Sequence, residues 1–195
     1  MSDFRSLGTL TLSTNSASFA MTGLDVTAYS VIEIHTSFKT DRSNTKDQTY
    51  MTCSSYGAGE SGDGGINNSG VAYSKANSNL NGSHNASVNG NSSNRILCLA
   101  AGANTPNVSD RDGFPSRLVL FHPTKFAESY ERDMSIYYES TNGYGATLGG
   151  DMDVSRGIVT WPGRTEDSIT SFTWTPRYGT NFLAGSWVAI YGYAV

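Results

Sequence analysis

The C-terminal stretch, residues 168–195, constrains the fold most, because it predicts two strands joined by a glycine-containing turn. The first strand is rich in Thr, Ile, Phe and Trp, which suit a pleated surface, and Pro176 ends it because proline cannot donate to a ladder. The second strand alternates between two apolar sets, with Trp187, Ala189, Tyr191 and Tyr193 on one face and Val188 and Ile190 on the other. A strand that is apolar on both faces is typical of the middle of a sheet. We therefore predict that the last residues complete the hydrophobic core.

Strand and turn signals alternate along the rest of the chain and predict an all-β fold. Residues 30–38 show the clearest period of two, which predicts Ile32, Ile34 and Phe38 inward and Glu33, His35 and Ser37 outward. We count about ten candidate strands and one short helical segment, residues 125–131. With 195 residues, we predict one domain, a single jelly-roll-like antiparallel β-sandwich with long Gly/Ser/Asn-rich loops. Residues 1–15 are predicted to hold a first strand or an N-terminal arm.

Residues 55–93 interrupt the pattern with a run of Gly, Ser and Asn that predicts a long polar loop insertion. A structureless loop of this length is uncommon in a compact domain and is typical of function or disorder. Asn81-Gly82 and Asn89-Gly90 are hairpin-turn dipeptides. A β-ribbon within residues 71–94 is therefore expected.

The charge balance argues against nucleic acid as a partner. The formal net charge is −4 and only 15% of residues are charged, whereas a nucleic-acid-binding protein is expected to carry a basic face. No stretch approaches the ~20 apolar residues that cross a bilayer, and the N-terminus lacks the apolar region of a signal peptide. We therefore expect no membrane partner and synthesis in a cytoplasm.

The residue types that usually carry catalysis or bind metals show no active-site spacing. His35, His84 and His122 are far apart and have no Cys or His at ligand spacing. The Asp-x-Asp pairs at 110–112 and 151–153 suit loop capping better than calcium, which needs further oxygen ligands. Cys53 and Cys98 are predicted on strands, as buried free thiols, or as a disulfide if those strands are neighbours. We predict that the chain is not an enzyme and has no cofactor and no metal site.

Four strings in the C-terminal stretch resemble the C-terminal signature of a group of bacteriophage virion proteins: ITSFTW at 169–174, GTNF at 179–182, GS at 185–186 and IYG at 190–192. Proteins of that group occur among tail-fibre tips and capsid-surface proteins, and they are jelly-roll sandwiches. The resemblance implies a place on the virion, assembly in the host cytoplasm, and a homo-oligomer, commonly a trimer. It fits both the capsid and the tail.

Four aromatic residues in or beside loops form the candidate contact site: Tyr56, Tyr73, Tyr144 and Trp161. Aromatic side chains outside a core can anchor a protein interface, and they can also stack on sugar rings. We favour a protein interface over glycan contact, because virion proteins of one domain must first bind each other.

The leading functional hypothesis is a structural virion protein, a capsid decoration or cement protein that oligomerises and bridges subunits of the major capsid protein. The sequence shows no heptad repeat of the kind that builds a fibre shaft, which favours the capsid. The alternative is a tail-associated receptor-binding module that recognises host surface glycans through residues 55–93 and 142–150.

Overall fold

The computed structural model describes residues 3–44, 46–53, 72–78, 84–90, 96–103, 113–121, 134–143, 152–161 and 169–194. Within these ranges the chain forms strands and no helix: β1 (Asp3–Thr11), β2 (Phe19–Thr22), β3 (Val31–Phe38), β4 (Lys46–Cys53), β5 (Ala72–Ser78), β6 (His84–Gly90), β7 (Ile96–Ala101), β8 (Phe114–Phe121), β9 (Met134–Gly143), β10 (Met152–Trp161), β11 (Ser171–Pro176) and β12 (Trp187–Ala194). This part of the chain accordingly offers no helix that could cross a membrane.

The strands form two antiparallel sheets. The large sheet has the order β1-β12-β3-β8-β9-β10-β5-β6, and the small sheet has the order β2-β11-β4-β7. The two ends of the chain meet in the large sheet, where β1 pairs with β12 from Asp3 opposite Ala194 to Thr11 opposite Trp187. The large sheet is therefore not complete until the C-terminal strand has joined it.

The two sheets share one hydrophobic core, as in a β-sandwich. Fully buried members from the large sheet are Ile32, Ile34, Phe38, Leu118, Leu120, Ile136, Val188 and Ile190, and those from the small sheet are Met51, Ala100, Phe172 and Trp174. Phe19, Phe38, Trp174 and Phe182 form an aromatic cluster within it, with ring centroids 4.9 to 6.3 Å apart. The prediction of an all-β fold is confirmed.

The C-terminal strand has the predicted alternation. Val188 and Ile190 are fully buried in the core, and β12 lies inside the sheet, between β1 and β3. The opposite face differs from the prediction, because Trp187, Tyr191 and Tyr193 are only half-buried. Within the described residues only one side of the large sheet is covered by a second sheet, so this face of β12 stays partly open.

Residues 30–38 also follow the predicted alternation, with one difference. Ile32, Ile34 and Phe38 are fully buried, as predicted. Glu33 and Ser37 point away from that core, yet they are only 8% and 2% exposed. Neighbouring side chains on the sheet therefore cover this outward-facing charge.

The ribbon expected within residues 71–94 is confirmed by the antiparallel pairing of β5 with β6. The polar insertion thus contributes two strands to the large sheet, and the turn dipeptide at 81–82 lies outside the described residues. The helical segment predicted at 125–131 also lies outside them. Residues 1–15, predicted as a strand or an arm, contain β1, which pairs with β12 of the same chain.

Cys53 and Cys98 lie on neighbouring strands, but their register separates them. Cys98 of β7 is opposite Thr49 of β4, and Cys53 lies four residues further along β4. At ~3.3 Å per residue, this offset places their backbones about 13 Å apart, beyond the reach of a disulfide. The structure therefore excludes a bond between the two cysteines.

Candidate functional site

The candidate site lies on the outer face of the large sheet, the face that is turned away from the small sheet. Alternation along each strand places every second side chain on this face. The register sets Glu33 of β3 beside Tyr191 of β12, and it sets His35 of β3 beside Arg117 of β8. Arg117 is in turn opposite Glu139 of β9. Ionisable and aromatic side chains from four strands thus meet on one surface.

Glu33, His35, Arg117 and Tyr193, here named the Glu33 quartet, are joined by hydrogen bonds. Arg117 donates from Nε to Glu33 Oε1 at 2.5 Å, and His35 Nε2 lies 2.7 Å from the same oxygen. The hydroxyl of Tyr193 donates to Glu33 Oε2 at 2.9 Å. Both carboxylate oxygens therefore have partners, which lets a charged side chain stay buried.

The quartet holds Glu33 in its ionised form. The hydrogen bond from Arg117, reinforced by those from Tyr193 and His35, outweighs the cost of burial and lowers the pKa of Glu33 from 4.5 to about 2. The same carboxylate raises the pKa of Arg117. Burial, together with the hydrogen bond to Glu33, raises the pKa of Tyr193. The centre of the outer face thus carries a fixed ion pair at neutral pH.

Glu33→Gln is expected to destabilise the fold most at neutral pH. Because the pKa of Glu33 is lower in the folded chain, its contribution is complete above about pH 4.5 and is lost as the pH falls through about 2. The shift corresponds to at most about 3 kcal/mol, and the half-exposed Arg117 reduces this to about 1–2 kcal/mol through solvent screening.

Urea unfolding of the parent and of Glu33→Gln, at neutral pH and again near pH 3, measures this effect. The gap in unfolding free energy between the two chains should narrow at the lower pH. A gap that stays constant would contradict the assignment of the low pKa to Glu33.

Aromatic and apolar side chains surround the quartet on the same face. Phe4 of β1 is 55% exposed and stacks on Tyr191, with ring centroids 5.2 Å apart and an angle of 18° between the ring planes. Phe4 also lies 5.1 Å from Tyr193. Phe121 of β8, across Val31 in the same row, is 39% exposed. We name Phe4, Val31, Phe121, Tyr191 and Tyr193 the outer-face patch.

A second polar cluster fixes the segment that follows β11. Asp47 is fully buried and accepts hydrogen bonds from Thr40 Oγ1 at 2.9 Å, from the backbone N–H of Gly179 at 2.9 Å and from that of Tyr178 at 3.3 Å. Asp41 accepts from the backbone N–H groups of Thr180 at 2.7 Å and of Asn181 at 3.0 Å. Two carboxylates thus take the place of a strand partner for this irregular backbone.

The two carboxylates approach the backbone closely at Gly179, and hydrogen bonds from this backbone favour the ionised form of Asp41. A Cβ atom at Gly179 would lie 2.8 Å from Asp41 Oδ1 and 3.0 Å from Asp47 Oδ2, so only glycine leaves room for both carboxylates. Burial opposes the ionisation of Asp41, but hydrogen bonds from Asn181 and Thr180 outweigh it and lower the pKa of Asp41. The cluster supports the fold by holding the chain between β11 and β12.

The segment also presents one exposed ring between two cations. Tyr178 is 55% exposed, and its ring centroid lies 4.2 Å from Arg42 Cζ and 4.7 Å from Arg177 Cζ. Such cation–π contacts hold an exposed ring in one orientation. Tyr178 and Arg177 lie on the loop beyond β11, and Arg42 lies between β3 and β4, so this group is separate from the outer-face patch.

The four loop aromatics of the sequence prediction are not brought together by any described contact. Tyr56 and Tyr144 lie outside the described residues. Tyr73 lies in β5 opposite Val159, and Trp161 ends β10 opposite Met134, but the described side chains include neither of them. Their role as contact residues remains a prediction.

The outer face of the large sheet instead brings together residues for which the sequence predicts other roles. The sequence predicts Tyr191 and Tyr193 on one apolar face of a central strand, and it places Phe4 within residues 1–15 without a contact role. One sequence signal points to the quartet, because Glu33 and His35 occupy successive outward positions of a strand that is otherwise rich in β-branched and aromatic residues. Arg117 and Tyr193 carry no such signal.

The hydrogen bonds of Glu33 limit the chemistry that its carboxylate can perform. Glu33 is ionised and fully hydrogen-bonded, so it is poorly suited to accept a proton from a substrate. Among the described residues, no group of three or more His, Cys, Asp and Glu side chains is arranged to hold a metal ion.

Comparison with known proteins finds no matching family model, no similar curated protein and no similar solved structure.

Proposed function

We propose that this chain is a structural protein of a bacteriophage particle surface, a capsid decoration or cement protein that oligomerises and bridges capsid subunits. The sequence resemblance in residues 168–195 supports the virion, and the outer face of the large sheet supports the binding role. Jelly-roll connectivity and a homotrimer are part of this proposal. Its partners are further copies of the chain and the major capsid protein.

The outer-face patch is the observation that carries the proposal. Phe4 and Phe121 are large apolar side chains that the fold leaves 55% and 39% exposed. Enrichment in aromatic residues with few charges is the composition of an interface core. Two of the charges on this face, Glu33 and Arg117, already pair with each other, so a protein partner can cover this pair without leaving either charge unpaired. This arrangement suits a protein partner on this face.

Light scattering of the purified chain tests self-association through the patch. The parent is expected to have the mass of a trimer, and Phe4→Ser/Phe121→Ser is expected to have the mass of a monomer. A specific interface should bury at least ~1,000 Å², and its apolar character should make it insensitive to salt. Both substituted side chains are exposed, so the variant should still fold and melt cooperatively.

Tyr178→Ser is the matched control, because Tyr178 is as exposed as Phe4 but lies on the loop beyond β11. It should keep the mass of the parent. A monomeric parent, or an equal loss of mass in the control, would contradict association through the patch.

The number of copies in purified particles separates the capsid proposal from the tail alternative. Hundreds of copies per particle would support capsid decoration. A handful would support the tail-associated receptor-binding module, whose proposed glycan-contacting segments are residues 55–93, which include β5 and β6, and residues 142–150.

A further inference from the structure

The free edge of β1 is a second surface on which another chain could pair. β1 is the terminal strand of the large sheet, and in the described part of the chain it pairs only with β12. Natural edge strands are usually short, charged, interrupted by proline or covered. β1 has nine residues, and residues 6–12 contain neither a charge nor a proline. Beyond the register shift between Ser6 and Gly8, this edge therefore lacks the charges and prolines that usually prevent strand addition.

The hydrogen bonds at the end of β1 show which backbone groups face the free edge. The N–H of Leu12 donates to the carbonyl of Ser186 at 2.9 Å, and the N–H of Gly185 donates to the carbonyl of Leu12 at 2.8 Å. Successive residues of an antiparallel strand turn their backbone groups to opposite sides. Leu10, opposite Val188, therefore bonds to β12, and Thr9 and Thr11 turn their N–H and C=O groups outward.

The irregularity in β1 limits where a second strand can pair. The register shifts between Ser6 and Gly8, so only the stretch from Gly8 onward continues the regular ladder. Leu10 lies between the two outward-facing threonines at the middle of that stretch. Its side chain lies on the same face as the buried Val188, yet it is 37% exposed, because it lies at the margin of the core.

We propose that β1 pairs antiparallel with β1 of a second copy of this chain, about a twofold axis that passes beside Leu10. In this register Thr9 is opposite Thr11 of the other copy, and these two residues exchange both of their N–H to C=O bonds. The axis repeats the exchange, so four outward backbone bonds form. The two Leu10 side chains then face each other in a non-hydrogen-bonded pair, where side chains approach most closely.

The chain is self-complementary in this register. The Thr9 and Thr11 side chains meet as cross-strand threonine pairs, which are favourable. The uncharged run of residues 6–12 places no like charges opposite each other. Each Leu10 covers the other, which removes an exposed leucine from water. A twofold contact is isologous and closes on itself, so it ends at two copies.

The evidence for this contact does not depend on the proposed function. The contact uses the edge of β1 and not the outer-face patch, so it can form together with a trimer. A single pair of edge strands buries little surface, so the contact belongs to the weak, transient class. Neighbouring copies on a large assembly have a high effective concentration, at which a weak contact becomes occupied. The edge would then join chains that another interface has already gathered.

Disulfide trapping under mild oxidation tests the register. Leu10→Cys is expected to give a covalent dimer, because the Cα atoms of a non-hydrogen-bonded pair are close enough for a disulfide. Thr9→Cys is the matched control, since Thr9 faces Thr11 of the other copy and not itself. The parent, with Cys53 and Cys98, is the second control.

A dimer from Leu10→Cys alone supports the proposal. No dimer from Leu10→Cys, or as much dimer from Thr9→Cys or from the parent, overturns it. This test can be separated from the test of the proposed function. A chain that combines Phe4→Ser, Phe121→Ser and Leu10→Cys should still form the covalent dimer.

Sedimentation of Thr11→Pro provides a test without cysteine chemistry. The N–H of Thr11 faces outward, so proline removes a bond to the second copy and none to β12. The concentration-dependent association of two copies, or of two trimers, should be lost in Thr11→Pro and kept in Thr11→Ala. Association that survives in Thr11→Pro would overturn the pairing.

Discussion

Removing residues 187–195 is expected to leave a chain that does not fold cooperatively. The deletion removes β12, which separates β1 from β3 in the large sheet, so both neighbours lose a hydrogen-bonded partner. It also removes Val188 and Ile190, which are fully buried in the shared core. Each large buried side chain contributes ~1.5–3 kcal/mol, and a domain's whole stability is only ~5–15 kcal/mol. The two side chains alone contribute ~3–6 kcal/mol on this scale, and the loss of both strand pairings adds to it, so the total is comparable with the margin that keeps the chain folded.

The soluble fraction after expression and the thermal unfolding curve measure this result. A chain shortened only by residues 194–195 is the matched control, because Val188, Ile190 and the pairing with β3 remain. The control should melt cooperatively, and the longer deletion should be insoluble or show no transition. A cooperative transition in the chain without residues 187–195 would show that β12 is peripheral.

The importance of β12 could be predicted from the sequence because it depends on a local pattern. Val188 and Ile190 alternate with Trp187, Ala189 and Tyr191, and this period of two places them on one face whatever the neighbouring strands are. The partners of β12 could not be predicted in the same way. β1 lies at the other end of the chain, and pairing between distant segments leaves no periodic trace in either one.

The Glu33 quartet likewise depends on contacts between distant segments, which the sequence does not predict. Alternation predicted that Glu33 and His35 face outward, and they do. It did not predict that Glu33 would be buried, because its cover comes from Arg117, 84 residues away, and Tyr193, 160 residues away. The side chains of those two residues reach across neighbouring strands, so the low pKa of Glu33 follows from register and not from sequence spacing.

The sequence predicts contact residues in or beside loops. The exposed aromatic residues of the outer-face patch lie instead on β1 and β8, where the pattern suggests packing. Exposure at Phe4 and Phe121 depends on whether a second layer covers that face. A single sequence carries no direct signal for which face of a sheet remains open.

Asp47→Ala is expected to destabilise the fold more than any exposed carboxylate substitution. Asp47 is fully buried, and it accepts bonds from Thr40, from the backbone of Tyr178 and Gly179, and at 2.7 Å from the N–H of Gln48. Alanine leaves these donors without this acceptor, and an unsatisfied group costs ~1–3 kcal/mol where it is buried, as Thr40 is. Because relaxation and water recover part of that cost, we expect a loss of about 3 kcal/mol in the free energy of unfolding.

Thermal unfolding of Asp47→Ala, compared with Asp25→Ala, provides the measurement. For a chain of this size, a loss of about 3 kcal/mol lowers the melting temperature by roughly 6–12 °C. Asp25 is the matched control because it is exposed and, among the described residues, bonds to Thr27, two residues away, so its replacement should leave the melting temperature nearly unchanged. The melting temperature of Asp47→Asn should lie between those of Asp47→Ala and Asp25→Ala. The amide oxygen of asparagine still accepts from the backbone, but its NH₂ group faces other donors. Equal melting temperatures for Asp47→Ala and Asp25→Ala would mean that the segment between β11 and β12 is held by its apolar contacts, with Phe182 as the anchor, and not by the buried carboxylate.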